Sequence, residues 1–225
     1  MSAVGCAAST LTVREPDTLD VLARRPGRVL RAGSWKKAEV RLVAGRDGPV
    51  VIKDWRRAPA GLRGVARWLF MREAGIYAVL QGMPGVPRLI GAGDRILAVE
   101  HVPGRPISAF MHGKGRGLQV GRRLEAMIGE MHRRGVYHAD LHYRRNILVT
   151  DEGGVRIIDF ASAVDTVRMA GIGRLLRPLL ALCDHYAILK WKGGVEPECM
   201  TSRERRLFHF LDGIRLKSRS RRSSP

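Results

Sequence analysis

The sequence predicts an α+β chain in two lobes, a small strand-rich lobe followed by a shortened, mainly helical one. Three observations carry this expectation. Short runs with β-branched residues, separated by turn signals, crowd the first part of the chain. A Pro- and Gly-rich stretch, Pro103-Gly104-Arg105-Pro106, interrupts it near the middle. Beyond that stretch the apolar residues recur mostly at helical spacing. The expected divisions are an N-terminal extension over 1–27, the first lobe over 28–102, the second over 103–214, and a basic, disordered tail over 215–225.

Each element has its own signal. Arg28 to Leu30, Ala38 to Val43 and Val50 to Asp54 read as strands, the last two joined across the turn-like Gly45-Arg46-Asp47-Gly48-Pro49. Val65, Leu69, Ile76, Val79 and Leu80 recur at near-helical spacing between Leu62 and Gln81, and Gly82 with Pro84 ends that helix. Leu89 to Ile90 and Ile96 to Val99 are two further strands around Gly91, Gly93 and Asp94. Past the boundary, Leu124, Met127, Ile128 and Met131 mark a second helix. Ile147 to Val149 and Val155 to Ile158 flank Asp151-Glu152-Gly153-Gly154, a hairpin signal. A capping box, Thr201-Ser202-Arg203-Glu204, opens a last helix through Leu207, Phe208, Leu211 and Ile214.

Composition narrows the class. At 225 residues, 45% hydrophobic and 27% charged, the chain can bury a core and is not disordered as a whole. Lys and Arg number 40 against 21 Asp and Glu, a formal charge of +19, which implies an anionic partner. The excess is densest at Arg56, Arg57, Arg63, Arg67 and Arg72 and at Arg215, Lys217, Arg219, Arg221 and Arg222. Peripheral contact with an anionic membrane and non-specific contact with RNA draw on the same charges. Cys6, Cys183 and Cys199 form neither a disulfide framework nor a zinc-type pair, as expected in a reducing cytoplasm. The best membrane-span candidate, Ile172 to Leu182, is broken by Arg174, Arg177 and Pro178. The expected location is cytoplasmic, including the inner face of the cell membrane.

Chemistry enters at His138-Ala139-Asp140-Leu141-His142-Tyr143-Arg144-Arg145-Asn146, followed by Ile157-Ile158-Asp159-Phe160. An Asp on a loop, a downstream Asn, and an Asp ending a short apolar strand are the base and oxygen donors that phosphoryl transfer needs. Mg²⁺ favours one or two carboxylates with an amide oxygen, water and substrate phosphates, and Asn146 with Asp159 meets that requirement.

From about Gly33 to Phe160 the chain resembles the protein-kinase-like superfamily. The resemblance implies a two-lobed kinase-like fold and makes Lys53, in Val51-Ile52-Lys53, the strand lysine on the α and β phosphates of ATP. Glu73 on the following helix becomes its ion-pair partner. Glu100 and Val102 belong to the hinge that receives adenine, Gly33 to the phosphate-binding loop. Asp140 aligns the acceptor hydroxyl and takes its proton, His138 braces the loop, and Asn146 and Asp159 hold Mg²⁺. HADLH and IIDF without a following Gly resemble the compact microbial groups, namely lipopolysaccharide-core (Kdo and heptose) sugar kinases, RIO-type kinases and aminoglycoside-type phosphotransferases.

Three departures accompany the resemblance. The glycine-rich loop is reduced to Gly33-Ser34-Trp35-Lys36-Lys37-Ala38. Asp140 and Asn146 are six residues apart instead of the family's five, so either the loop bulges or Asn146 is not the metal residue. Ala161 stands where regulated kinases have Gly. The expected function is ATP- and Mg²⁺-dependent transfer of the γ-phosphoryl group to a hydroxyl, first of a sugar in a lipopolysaccharide-like glycolipid. The alternatives are a RIO-like protein serine/threonine kinase and a catalytically silent nucleotide-binding module docking on membrane or RNA.

Overall fold

Alternation along β-branched runs builds the first lobe. In the computed structural model, which describes residues 18–110, 116–195 and 197–220, five strands form one antiparallel sheet. They are β1 (Gly27–Arg31), β2 (Glu39–Gly45), β3 (Gly48–Asp54), β4 (Leu89–Gly93) and β5 (Ile96–Glu100), in the spatial order β1-β2-β3-β5-β4. Because successive side chains of a strand point to opposite faces, Val50 and Ile52 bury against one layer while Val51 and Lys53 face the other.

A short helix absent from the sequence reading covers the outer face. Helix α1 (Leu19–Arg24), capped by the Thr18 hydroxyl accepting from the Val21 N–H, buries Leu22 and Ala23 against Val43, Val50, Ile52, Ile96 and Ala98. Residues 18–27 are therefore part of the first lobe and not an extension from it. Helix α2 (Arg63–Val79) crosses the inner face and buries Ala66, Phe70, Glu73, Ala74, Ile76 and Tyr77.

After β5 the chain passes through the Pro- and Gly-rich stretch. A Cβ on Gly104, which sits at φ 152°, would lie 3.0 Å from Leu148 Cβ and 3.1 Å from Val149 O, so a side chain there would be tight as well as strained. The two-residue strand β6 (Arg105–Pro106) then pairs with β8 (Ile147–Val149), which pairs with β9 (Val155–Ile157) as the anticipated hairpin. Helix α3 (Arg116–Arg133) leads into β7 (Val136–Tyr137), which pairs with β10 (Val164–Asp165). Two long helices complete the lobe, α4 (Ala170–Val195) and α5 (Ser202–Ser220).

The capping box forms as the sequence indicates: the Thr201 hydroxyl accepts from the Glu204 N–H, and the Glu204 carboxylate accepts from the Thr201 N–H. Hydrogen bonds from Lys192 and Thr201 hold Glu204 down to about 2. Helix α5 continues to Ser220, so the first half of the expected tail is helical; residues 221–225, like Cys6, lie outside the described residues. One hydrophobic core, from Trp55 and Phe70 through Leu97 and Leu124 to Phe160 and Trp191, runs through both lobes. Among the described residues no helix is long and apolar enough to cross a membrane.

Candidate active site

A cleft of about 520 Å³ opens between the lobes. Strand alternation brings Val51 and Lys53 to it from β3, the end of β5 supplies Val99 and Glu100, and Val102 and Gly104 follow on the connecting stretch. Asn146, Leu148, Ile158 and Asp159 form its floor from the second lobe. Arg31, Lys37, Lys53 and Arg145 line it against Glu100 and Asp159, giving an excess of positive charge.

At its centre, Lys53 Nζ lies 2.6 Å from Glu73 Oε1 and 2.6 Å from Asp159 Oδ1. Burial, the largest single effect on Lys53, acts to lower its pKa, but Glu73 and Asp159 outweigh it and hold the ammonium well above its ordinary value. Asp159 is the counterpart. Burial acts to raise its pKa, and Lys53, through charge and hydrogen bond, brings it below the usual carboxylate range. The Asp159 backbone is left-handed, at φ 64° and ψ 70°, and the following Phe160 is fully buried. Phe160 meets Tyr77 of α2 edge to face at 5.1 Å, which anchors the turn under α2 and aims Asp159 at Lys53.

The six-residue spacing is accommodated by a pair of turns. Tyr143 N–H donates to Asp140 O, and Asn146 N–H donates to Tyr143 O, so the chain returns to the cleft after two i→i+3 closures. The Asn146 amide nitrogen then donates to Asp140 O at 3.1 Å and lies 3.4 Å from Asp140 Oδ2. This orientation directs Asn146 Nδ2 to Asp140 and leaves its amide oxygen as a donor for a cation. Burial raises the Asp140 pKa, with Asp159 adding to the rise, while His138, Asn146 and Arg145 oppose it. His142 Nδ1 lies 3.4 Å from Asp140 Oδ1.

His138 is fully buried and donates from Nε2 to Ile158 O at 3.1 Å, tying the loop to the segment that carries Asp159. Its pKa is lowered, by burial first, so the ring is neutral near pH 7. Glu73 and Asp140 adjoin the cleft through Lys53 and Asn146 without lining it, whereas Gly33 is turned away. The loop that carries it folds on itself through reciprocal Ser34–Lys37 backbone bonds, and Trp55 Nε1 donates to Ser34 O. Gly33 and Ser34 consequently line a separate hollow, and Lys37 with Arg31 faces the cleft instead.

Asp184 is the residue to which sequence reasoning gave no role. Fully buried on α4, it accepts from His138 N–H and Ala139 N–H at 2.8 Å each and lies 2.9 Å from His132 Nε2. Its carboxylate thus holds the two peptide groups just before Asp140. The available signal was a lone carboxylate among Ala187, Ile188 and Trp191 at i+3, i+4 and i+7, on the apolar face of a helix.

Two lobes, a buried Lys–Glu pair between sheet and helix, and a loop Asp with an Asn and a strand-end Asp define the protein-kinase-like fold. The chain is similar over 87% of its length to the Rio2 kinase of Chaetomium thermophilum. One crystal structure of that kinase gives a TM-score of 0.57, covering 75% of that chain, and one of its ADP/Mg²⁺-phosphoaspartate complex gives 0.53, covering 74%. Sequence identity to both is 16%. Among curated proteins it is 27% identical over 95 residues to "Putative serine/threonine-protein kinase YrzF" of Bacillus subtilis (strain 168), covering 40% of this chain and 42% of that protein. It is 33% identical over 144 residues to "Probable SapB synthase" of Streptomyces coelicolor, covering 52% of this chain and 15% of that protein. The chain therefore spans less than half the length of the curated relatives it matches. No protein-family model matches it.

Proposed function

We propose that the protein transfers the γ-phosphoryl group of ATP to an alcohol hydroxyl. The observation that carries this reading is the buried Lys53 held at 2.6 Å by both Glu73 and Asp159, at the centre of a cationic cleft whose floor is Asn146. Glu73 fixes the ammonium on the nucleotide side, and Arg31, Lys37 and Arg145 add charge where a triphosphate lies. Glu100 and Val102 border the adenine end. Asp140, with its raised pKa, is suited to orient the hydroxyl and accept its proton.

A carboxylate of Asp159 and the amide oxygen of Asn146 are a donor set that fits Mg²⁺ completed by phosphates and water. When bound, Mg²⁺ would neutralise phosphate charge. Among the described residues no group of three or more His, Cys, Asp or Glu could hold a metal ion. The ADP and Mg²⁺ named for the Rio2 complex support the same cofactors here.

For the acceptor, the first reading is a sugar hydroxyl of a lipopolysaccharide-like glycolipid, supported by the basic excess and by the resemblance of the HADLH and IIDF runs. A protein serine or threonine is the second reading, favoured by the likeness to Rio2 and to YrzF. The test is ATP turnover by the purified chain with and without Mg²⁺, beside Asp140→Ala and Asp159→Ala. Asp140→Ala is expected to abolish turnover with ATP affinity retained, and Asp159→Ala to lose Mg²⁺-dependent nucleotide binding. Wild-type turnover by Asp140→Ala would sink the assignment. Transfer of labelled γ-phosphate to purified glycolipid or to protein then separates the two acceptors.

A further inference from the structure

The first half of α4 is an apolar ridge that stands in solvent. Ile172, Leu175 and Leu179, at i, i+3 and i+7, are 65%, 81% and 60% exposed, and Val167 just ahead of the helix is 64% exposed. The helix rotates its other face inward, burying Gly173 against Thr166 and Asp184 against the catalytic loop. Isolated surface leucines need no explanation, but a run of them along one helix face marks an interaction surface.

Charge says what kind. Between Asp165 and Leu179 the chain carries Arg168, Arg174 and Arg177 against the single acid Asp165. A pocket of about 360 Å³ beside the ridge is lined by Thr166, Val167, Gly171, Arg174 and Arg177. Arg177 is set in place by donating from Nε to Thr166 Oγ1 at 3.0 Å, and the buried Thr166 hydroxyl donates to Gly135 O at 2.9 Å. Asp165 is engaged by Arg168 at 3.2 Å and by the Val167 N–H, leaving Arg174 and Arg177 as the charges that line the pocket. Apolar side chains along the exposed part of a helix that is not apolar enough to span a bilayer, flanked by arginines, fit a helix face lying in a membrane interface.

We propose that this ridge and its arginine pocket dock the protein on an anionic lipid bilayer. Ile172, Leu175 and Leu179 enter the headgroup–acyl boundary, and Arg174 and Arg177 receive a lipid phosphate. The face is fixed to the catalytic loop, because Val164 pairs with Tyr137 and Thr166 with Gly135 immediately before His138. Docking therefore also holds the cleft at a fixed orientation to the membrane; the use of that consequence rests on the phosphotransferase reading, whereas lipid binding is read without ATP.

The experiment is co-sedimentation of the full chain with phosphatidylcholine vesicles, with and without phosphatidylglycerol. Thermal unfolding and vesicle-free ATP turnover are recorded for every variant. Wild type is expected to sediment with the anionic vesicles only. Leu175→Asp/Leu179→Asp should weaken that partition by about tenfold or more, and Arg174→Glu by roughly severalfold with a shallower salt dependence. Arg174 is exposed, so its variant keeps the test open should the leucine pair disturb folding. Equal binding by the folded variants, or equal binding to uncharged vesicles, overturns the proposal. So does a wild-type dimer that the leucine pair converts to monomer, which would make the ridge a contact between copies. Loss of vesicle binding with turnover intact separates this inference from the phosphotransferase reading.

Discussion

Replacing Asp184 should cost both stability and turnover, although it lies on α4, outside the cleft. Its carboxylate accepts two backbone N–H bonds at 2.8 Å, from His138 and Ala139, and is fully buried. A hydrogen bond to a charged group contributes about 1.5–3 kcal/mol, and a buried N–H left without a partner costs a similar amount. Asp184→Ala is therefore expected to lower the unfolding free energy by roughly 3–6 kcal/mol, a large part of the roughly 5–15 kcal/mol that a domain possesses. Ala139 sits at φ 62°, a left-handed conformation that costs about 1–2 kcal/mol for a non-glycine residue, and its own N–H is one of the two that Asp184 holds. Released, this peptide relaxes and carries Asp140 with it. A displacement of about 1 Å at a reacting group costs on the order of a hundredfold in rate. Asp184→Asn keeps the shape and one acceptor oxygen and should lose about half as much stability as Asp184→Ala. The assays are urea denaturation and steady-state ATP turnover, with KM for ATP as the internal control, because no cleft-lining side chain changes. Asp184→Ala with wild-type stability, or with wild-type kcat, would refute the bracing role.

Two further predictions concern the charges in the cleft. Lys53→Met leaves Glu73, 3% exposed, as a buried charge without its cation and is expected to destabilise the protein by about 3–5 kcal/mol. Lys53→Met/Glu73→Leu should regain most of that in denaturation experiments while remaining inactive; equal instability of single and double variants would contradict the pairing. Acidification should remove activity before structure. Asp140 must be ionised to accept a proton, and its raised pKa puts the acid limb of kcat above the ordinary aspartate value of about 3.9. The lowered pKa of Asp159 gives stability that is present above about 3.9 and is lost as pH falls through its folded value. Coincident midpoints for kcat and for circular dichroism would count against this assignment.

The strands, the two-lobe division and the hairpin before Asp159 were legible because each depends on local pattern. Period-two runs and turn residues do not need tertiary context, and neither does a capping box such as Thr201 with Glu204. What escaped depends on contacts distant in sequence. Helix α1 is six residues long, too short for periodicity, and exists because Leu22 fills the outer face of the sheet. Helix α5 runs on through a Ser- and Arg-rich stretch whose composition reads as tail, although Arg, Lys and Leu are good helix formers. Gly33 has the residue type for a phosphate loop, but the Ser34–Lys37 closure and the Trp55 bond turn it away from the cleft. Asp184 lies 44 residues beyond Asp140 in the chain and becomes a partner of that loop only when α4 is docked.

The six-residue interval from Asp140 to Asn146 shows how spacing and geometry differ as evidence. Counted along the chain, one additional residue leaves two readings, a loop that bulges or an Asn146 that is not the metal residue. Closed in space, six residues are two successive i→i+3 turns, Asp140 to Tyr143 and Tyr143 to Asn146, and the second ends as a short 3₁₀ turn over Arg144–Asn146. Two whole turns bring the chain back toward its starting point, and Asn146 meets the Asp140 carbonyl at 3.1 Å. The same closure puts Arg145 on the cleft wall, with its guanidinium 4.8 Å from the Tyr143 ring centroid. The insertion thereby adds a cation to a cleft whose reduced glycine loop supplies fewer backbone donors. In the proposed reaction, phosphate binding would fall to side chains lining the cleft, Arg31 and Lys37 from the first lobe and Arg145 from the second, in place of a glycine-rich cradle.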